Sequence, residues 1–156
     1  MTSMLLGPQL ASDTIPDTSR VGVVDAHIRA LMAPTPIDVA SSDQHTVKPW
    51  FNGRIPQAPR VVDLAKADFP LVGGRIDVVG EKPVPTLVYR HRKHLISVTA
   101  VPDSKHADTA PMLTTADGYN IYRWTEGGVA YWAVSDLAAG ELDTLVTLFR
   151  TNLPDP

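Results

Sequence analysis

The chain of 156 residues contains no cysteine, which excludes disulfides, thiolate metal sites and cysteine nucleophiles. No apolar run approaches the roughly 20 residues that span a bilayer, and the segment Met1–Leu10 lacks the basic start of a signal peptide. The net charge of -3 gives no reason to expect nucleic acid as a partner. An apolar content of 44% predicts one globular domain with a sizeable core.

Motifs of common catalytic and metal sites are also missing. The sequence has no G-x-S-x-G nucleophile elbow and no H-E-x-x-H zinc motif. Neither Gly73-Gly74 nor Gly127-Gly128 is followed by the helix start and Lys-Ser/Thr pair of a phosphate loop. His91 and His94 are three residues apart, a spacing that places them on opposite faces of a strand. We therefore predict no catalytic residues, no metal and no cofactor, and we expect a protein that is not an enzyme.

The stretch from Pro70 to Val101 carries the clearest strand signal. Apolar and polar residues alternate from Val72 to Val78, a pattern typical of a half-buried strand. Two further β-rich runs follow at residues 84–89 and 94–101, with the basic run Arg90–Lys93 between them. We predict a meander of three antiparallel strands whose second turn is this basic run.

The second half of the chain predicts a hairpin and a helix. Residues 119–125 and 129–134 flank Gly127-Gly128, which favours a tight hairpin because positive φ costs glycine nothing. The polar residues 102–117 predict a mobile loop. A last helix begins at Ser135 or Asp136 and continues to about Arg150.

The first half predicts another helix, from about Asp17 to Met32. One face of this helix carries an apolar stripe, and His27 lies off the stripe, where we expect it to face solvent. The stripe consists of Val21, Val24, Ile28 and Leu31. Residues 1–17 are interpreted as a flexible lead-in and residues 18–153 as a single domain. The predicted class is α+β: an antiparallel sheet of about five strands, with an N-terminal and a C-terminal helix packed on it.

Several stretches, taken in order, resemble a known family. The most distinctive is Ser41–Arg54, which reads SSDQHTVKPWFNGR. The others are FPLVGGR at 69–75, Tyr89–His94, Gly118-Tyr119-Asn120 with Trp124, GVAYWAVSDL at 128–137, and Gly140-Glu141-Leu142. Together they resemble the C-terminal, extracytoplasmic region of proteobacterial membrane-bound anti-sigma factors, also described as transmembrane transcriptional regulators. The resemblance covers about residues 20–150.

This resemblance implies a non-catalytic sensor or regulatory domain on the periplasmic side of the inner membrane, in a single-pass protein. Members of the family hold an extracytoplasmic-function sigma factor until a signal arrives. The sequence given contains neither their transmembrane helix nor the His/Cys zinc motif of their sigma-binding segment. We therefore expect an excised outer domain or a shortened relative, with a protein partner in the sigma-factor pathway that is contacted through segments absent from this chain.

Within that interpretation, residues 45–54 form a clasp that packs across the sheet. Trp50 and Phe51 would fill the core, and Lys48 and Arg54 would orient the segment. The hairpin aromatics either stabilise the sheet or form an exposed interaction patch. The basic turn is a candidate contact surface for an acidic partner. The candidate structural or interaction residues are His45, Lys48, Trp50, Phe51, Arg54, Arg90, Arg92, Trp124 and Trp132.

Three alternatives stay open. The first is a small-molecule or lipid-binding module that uses the sheet face, with the loop 102–117 as a lid. The second is an enzyme with an unrecognised site near Asp43 and His45. The third is a homodimer formed through an edge strand.

Overall fold

A computed structural model describes residues 17–56 and 58–152, and its α+β class is the predicted one. The predicted lead-in lies outside these residues apart from its last position, which begins the first helix. The helices are α1 (Asp17–Met32), α2 (Gln44–Asn52) and α3 (Ala139–Thr151), with a 3-10 turn at Ala65–Ala67. The strands are β1 (Val39–Ala40), β2 (Leu71–Val79), β3 (Lys82–His91), β4 (His94–Pro102), β5 (Thr109–Ala116), β6 (Tyr119–Glu126) and β7 (Val129–Ser135). None of the described helices combines the length and apolarity needed to cross a membrane.

The strands form one antiparallel sheet of seven, in the order β1-β2-β3-β4-β7-β6-β5. The sequence predicted about five strands, and the two additional strands, β1 and β5, lie at the edges. The predicted mobile loop at 102–117 is wrong, because Thr109–Ala116 pairs with β6. Met112 and Leu113 are both exposed on this edge strand. The strand therefore has no buried face, and it lacks the hydrophobic alternation by which strands are recognised in a sequence.

Both faces of the sheet are covered. On β7, Tyr131 and Ala133 join the larger core, whereas Trp132 and Val134 join the smaller one. The larger core also contains the apolar face of α3, which was predicted, and part of α2. The smaller core lies on the opposite face, beneath α1. The central strands are thus buried on both sides.

The predicted apolar stripe of α1 is buried only in part. Val24 is buried and Ile28 packs against the smaller core, but Val21 is 54% exposed and Leu31 is 42% exposed. The buried face consists of Val23, Val24, Ala26, His27 and Ala30. His27 was expected in solvent but is only 2% exposed. Two alanines and a hydrogen-bonded histidine line this face. The positions of the larger apolar residues in the sequence therefore did not indicate which face is buried.

Candidate functional site

The clasp begins with a well-defined helix cap. The backbone N–H of Asp43 donates to Ser41 Oγ at 3.0 Å, and Asp43 Oδ1 accepts from the backbone N–H of His45 at 2.8 Å. The Ser-Ser-Asp start of the most distinctive stretch therefore fixes the first turn of α2. The Asp43 carboxylate has a capping role here, and the His45 side chain is exposed.

Phe51 anchors the clasp to the sheet. Its ring is fully buried and lies over Gly74, where a Cβ would be 2.7 Å from Phe51 Cζ. At Gly73, which has a φ of 157°, a Cβ would meet the backbone carbonyl of Val39. The two glycines of the FPLVGGR stretch thus leave the space that β1 and α2 occupy.

Trp50 does not fill the core beside Phe51 as expected; it is half-buried at the edge of the core. The helical period places Val47 and Phe51 on the inward face of α2, so Trp50 is turned to one side. The Arg54 guanidinium lies 4.5 Å from the centre of the Trp50 ring and donates to the Trp50 carbonyl at 3.0 Å. Lys48 is exposed on the outer side of the helix.

The basic turn is shorter than predicted, because β3 continues to His91 and β4 begins at His94. Arg90 is exposed on the last part of β3. Arg92 donates to both carboxylate oxygens of Glu141, at 3.0 and 2.7 Å. Hydrogen bonds from Arg92, with a further contribution from His91, hold the pKa of Glu141 below its ordinary value. The turn is therefore fastened to the first turn of α3, and its charge is partly neutralised.

His91 strengthens this connection. Its Nε2 lies 3.0 Å from Glu141 Oε2 and its Nδ1 lies 2.8 Å from the backbone carbonyl oxygen of Asp68. The ring also stacks on Phe69, with 4.7 Å between the ring centres. His91 was interpreted as an exposed turn residue, but it joins the β3–β4 hairpin to both α3 and the segment before β2.

The aromatic residues of the β6–β7 hairpin are structural. Trp124 is completely buried and stacks on Tyr131 at 5.3 Å, in the larger core. Trp132 is 3% exposed and belongs to the smaller core, under the guanidinium of Arg123 at 5.8 Å. The two indoles lie on opposite faces of the sheet, so they do not form a shared exposed patch.

A buried polar network beneath α1 was missed in the sequence. His27 Nδ1 lies 2.6 Å from Ser97 Oγ, and Arg75 Nη2 donates to the same oxygen at 2.9 Å. The Ser97 hydroxyl oxygen thus accepts from Arg75 and is also hydrogen-bonded to the His27 ring. Burial, together with the charge of Arg75 and against the opposing effect of Asp136 and Asp77, lowers the pKa of His27 to about 4.

The network continues across β2, β3 and β4. Arg75 Nε donates to Asp77 at 2.9 Å, and the Thr86 hydroxyl donates to Asp77 Oδ2 at 2.6 Å. Thr86 Oγ1 also lies 2.8 Å from Thr99 Oγ1. The alternation of Arg75 and Asp77 with apolar neighbours was visible in the sequence. It appeared to mark a solvated face because nothing local indicated that α1 covers it.

Two adjoining cavities open at the β3–β4 side of the larger core. One has a volume of about 220 Å³ and the other about 100 Å³, and Pro85 and Pro102 line both. The sequence did not indicate this site, because its walls come from four separate segments, at 55–60, 82–85, 100–102 and 129–131.

No metal centre is formed within residues 17–56 and 58–152, where no three His, Asp or Glu side chains gather as ligands. A further cavity of about 200 Å³ lies beside α1, where Arg75 and Asp77 contribute to its wall. Comparisons of the chain with protein-family models, with curated proteins and with solved structures gave no match.

Proposed function

We propose that this chain is the non-catalytic extracytoplasmic sensor or regulatory domain of a membrane-bound anti-sigma factor, which controls an extracytoplasmic-function sigma factor. The observation that supports the proposal is the mutual packing of the family-like stretches. Phe51 of the first stretch lies on Gly74 of the second. Arg92, within the Tyr89–His94 stretch, binds Glu141 of the last. Stretches that are distant in sequence thus form one contact system, as expected if they belong together in a domain of this family.

The enclosed polar groups favour a non-catalytic role. A serine hydrogen-bonded to a histidine is also found in nucleophilic sites, where the serine must reach substrate. Here Ser97 is 1% exposed and His27 is 2% exposed, both beneath α1. In the same buried network, Arg75 Nε donates a hydrogen bond to the Asp77 carboxylate. The network is suited to holding α1 on the sheet and offers a substrate no approach to the hydroxyl.

In this proposal, α1 carries the regulatory signal. The family arrangement places the transmembrane helix N-terminal to the outer domain, so α1 is the element closest to it in the chain. A signal that changes the docking of α1 on the sheet would thereby reach the membrane. The contact with the sigma factor itself belongs to segments outside this chain.

The proposal is tested with the native gene product in its source organism. The gene is tagged at its 3′ end on the chromosome, membranes are solubilised in mild detergent, and the tagged protein is purified. We expect the protein in the inner-membrane fraction, together with a sigma factor in comparable amount. An unrelated single-pass inner-membrane protein with the same tag is the control. Recovery of the tagged protein from the cytoplasmic fraction without a sigma factor would overturn the proposal.

A further inference from the structure

The two adjoining cavities described above form one groove, which we call the proline groove. Its apolar wall is built from Ile55, Pro56, Pro83, Pro85 and Pro102. Proline rings present rigid apolar surface and lose little conformational freedom when a ligand covers them. The volumes of about 220 and 100 Å³ are each below the roughly 300–1,000 Å³ of small-molecule sites. The groove thus has room for a short apolar chain and is small for a complete phospholipid.

The polar groups of the groove are hydrogen-bond donors. Arg60 and Tyr131 line the smaller cavity, and Lys82 lines the larger one. Arg60 Nε is buried and has no hydrogen-bond acceptor among the described residues. Burial raises the pKa of Tyr131, so its hydroxyl remains protonated at neutral pH. Because Nε has almost no accessible surface, a ligand oxygen would meet Nη1 or Nη2 of Arg60, each of which donates one proton to Glu126 and carries a second.

Charge in the groove is of one sign. The described residues of its lining include no Asp or Glu, although the chain as a whole has a net charge of -3. Arg60 is paired with Glu126, which lies outside the lining, through Nη1 at 3.1 Å. The groove therefore favours a ligand that combines an apolar chain with an oxygen acceptor or a negative charge, and it disfavours a cation.

We propose that the proline groove binds a medium-length acyl group, with the chain along the prolines and the acyl oxygen at Arg60 and Tyr131. A free fatty acid and an acyl ester share this chemistry. The inference goes beyond the anti-sigma proposal and does not depend on it, because it concerns only this chain and a small ligand.

The experiment uses three probes with the same chain length, each below its micelle concentration: decanoate, methyl decanoate and decylammonium. Binding is followed by the fluorescence of Trp124, which stacks on Tyr131 at 5.3 Å, and by NMR shifts of groove amides. We expect saturable binding of decanoate, of methyl decanoate or of both. Binding of decanoate indicates that the groove accepts a free fatty acid, and binding of methyl decanoate indicates that it accepts an acyl ester. Decylammonium should bind at least about tenfold more weakly, a difference of about 1.4 kcal/mol.

Two pairs of variants locate the site. Pro83→Trp places a bulky side chain in the larger cavity, and Pro34→Trp makes the same change at an exposed proline outside the groove. Tyr131→Phe removes one donor and keeps the ring; Tyr122→Phe is its control, on the neighbouring strand and outside the lining. We expect Pro83→Trp to abolish binding and Tyr131→Phe to weaken it about tenfold, whereas both controls bind as the wild type.

The inference fails if neither acyl probe saturates, if decylammonium binds as tightly as the better acyl probe, or if Pro83→Trp leaves binding unchanged. Circular dichroism of each variant shows whether a loss of binding is a loss of fold. Recovery of a sigma factor with the tagged native protein is a separate measurement. Failure of one proposal is therefore distinguishable from failure of the other.

Discussion

The ring of Phe51 lies so close to Gly74 that a Cβ on this glycine would stand 2.7 Å from Cζ. Phe51 belongs to the clasp and Gly74 to β2, and the contact joins the most distinctive of the family-like stretches to the FPLVGGR stretch. The absence of a side chain at position 74 is what allows α2 to pack on the sheet.

Gly74→Ala should therefore destabilise the protein. Phe51 is enclosed and cannot move away freely, so we expect a loss of about 1–3 kcal/mol in the free energy of unfolding, measured by urea denaturation. Gly140→Ala is the matched control, because nothing lies within 4 Å of a Cβ there and Gly140 is part of α3. We expect the control to be neutral or slightly stabilising. Equal stability of Gly74→Ala and wild type would mean that the clasp is not packed on β2 in this way.

Phe51 and Trp50 should differ in their contribution to stability. Phe51→Ala removes a fully buried ring and should cost about 3–5 kcal/mol. Trp50→Ala removes a half-buried ring and its contact with Arg54, for which we expect about 1–2 kcal/mol. Both losses are measured as shifts in the denaturation midpoint. A larger loss at Trp50 than at Phe51 would contradict the placement of the two rings.

The lowered pKa of His27 predicts that the protein loses stability in acid. The unfolded state takes up a proton at His27 near its ordinary pKa of 6.5, whereas the folded state does so only at about 4. The unfolded state thus binds more protons between these values, so stability falls as the pH is lowered from about 6.5 to 4, by about 3 kcal/mol. The groups that face this histidine are Arg75, Asp77 and Asp136, together with the ring edge of Tyr119.

The measurement is the free energy of unfolding between pH 7 and pH 4 for the wild type and for His27→Gln. The variant lacks the titrating ring, so its stability should depend less steeply on pH, whatever its stability at pH 7. Parallel curves for the two proteins would show that His27 is not the group responsible.

Glu141 should titrate at a lower pH than an ordinary glutamate, since Arg92 and His91 bind its ionised form. An NMR titration of the side-chain carboxyl measures this midpoint directly. Arg92→Gln removes the largest contribution and should move the midpoint back towards the ordinary value. The same midpoint in wild type and Arg92→Gln would exclude this ion pair in solution.

The central part of the fold was predictable because its β-rich runs are separated by clear turn signals, and because the inward face of α3 has helical periodicity. Which faces of the strands are buried was not predictable from alternation: β3, β4 and β7 are buried on both sides, and in β2 Arg75 is buried whereas Val78 is 60% exposed. The edge strand β5 was not predictable in this way, since neither of its faces is buried. The orientation of α1 was missed because small residues and His27 form its buried face.

Only those parts of the candidate site that are formed by consecutive residues were predictable from the sequence. The cap at Asp43 and the helix that follows could be read from consecutive residues. The position of Trp50 beside the core required the period of α2, and the pairing of Arg92 with Glu141 required the tertiary arrangement. Pro56, Pro83 and Pro102 come from three separate segments. The proline groove therefore depends on tertiary contacts, which the hydrophobic periodicity of the sequence does not predict.

Transcription in a deletion strain tests the central claim most directly. In the source organism, the coding sequence is deleted alone and together with the sigma factor that is recovered with the tagged protein. We predict that the single deletion raises transcripts that share one promoter element, and that the double deletion returns them to the wild-type level. Unchanged transcripts in the single deletion, or elevated transcripts that persist in the double deletion, would contradict a role as the regulatory domain of an anti-sigma factor.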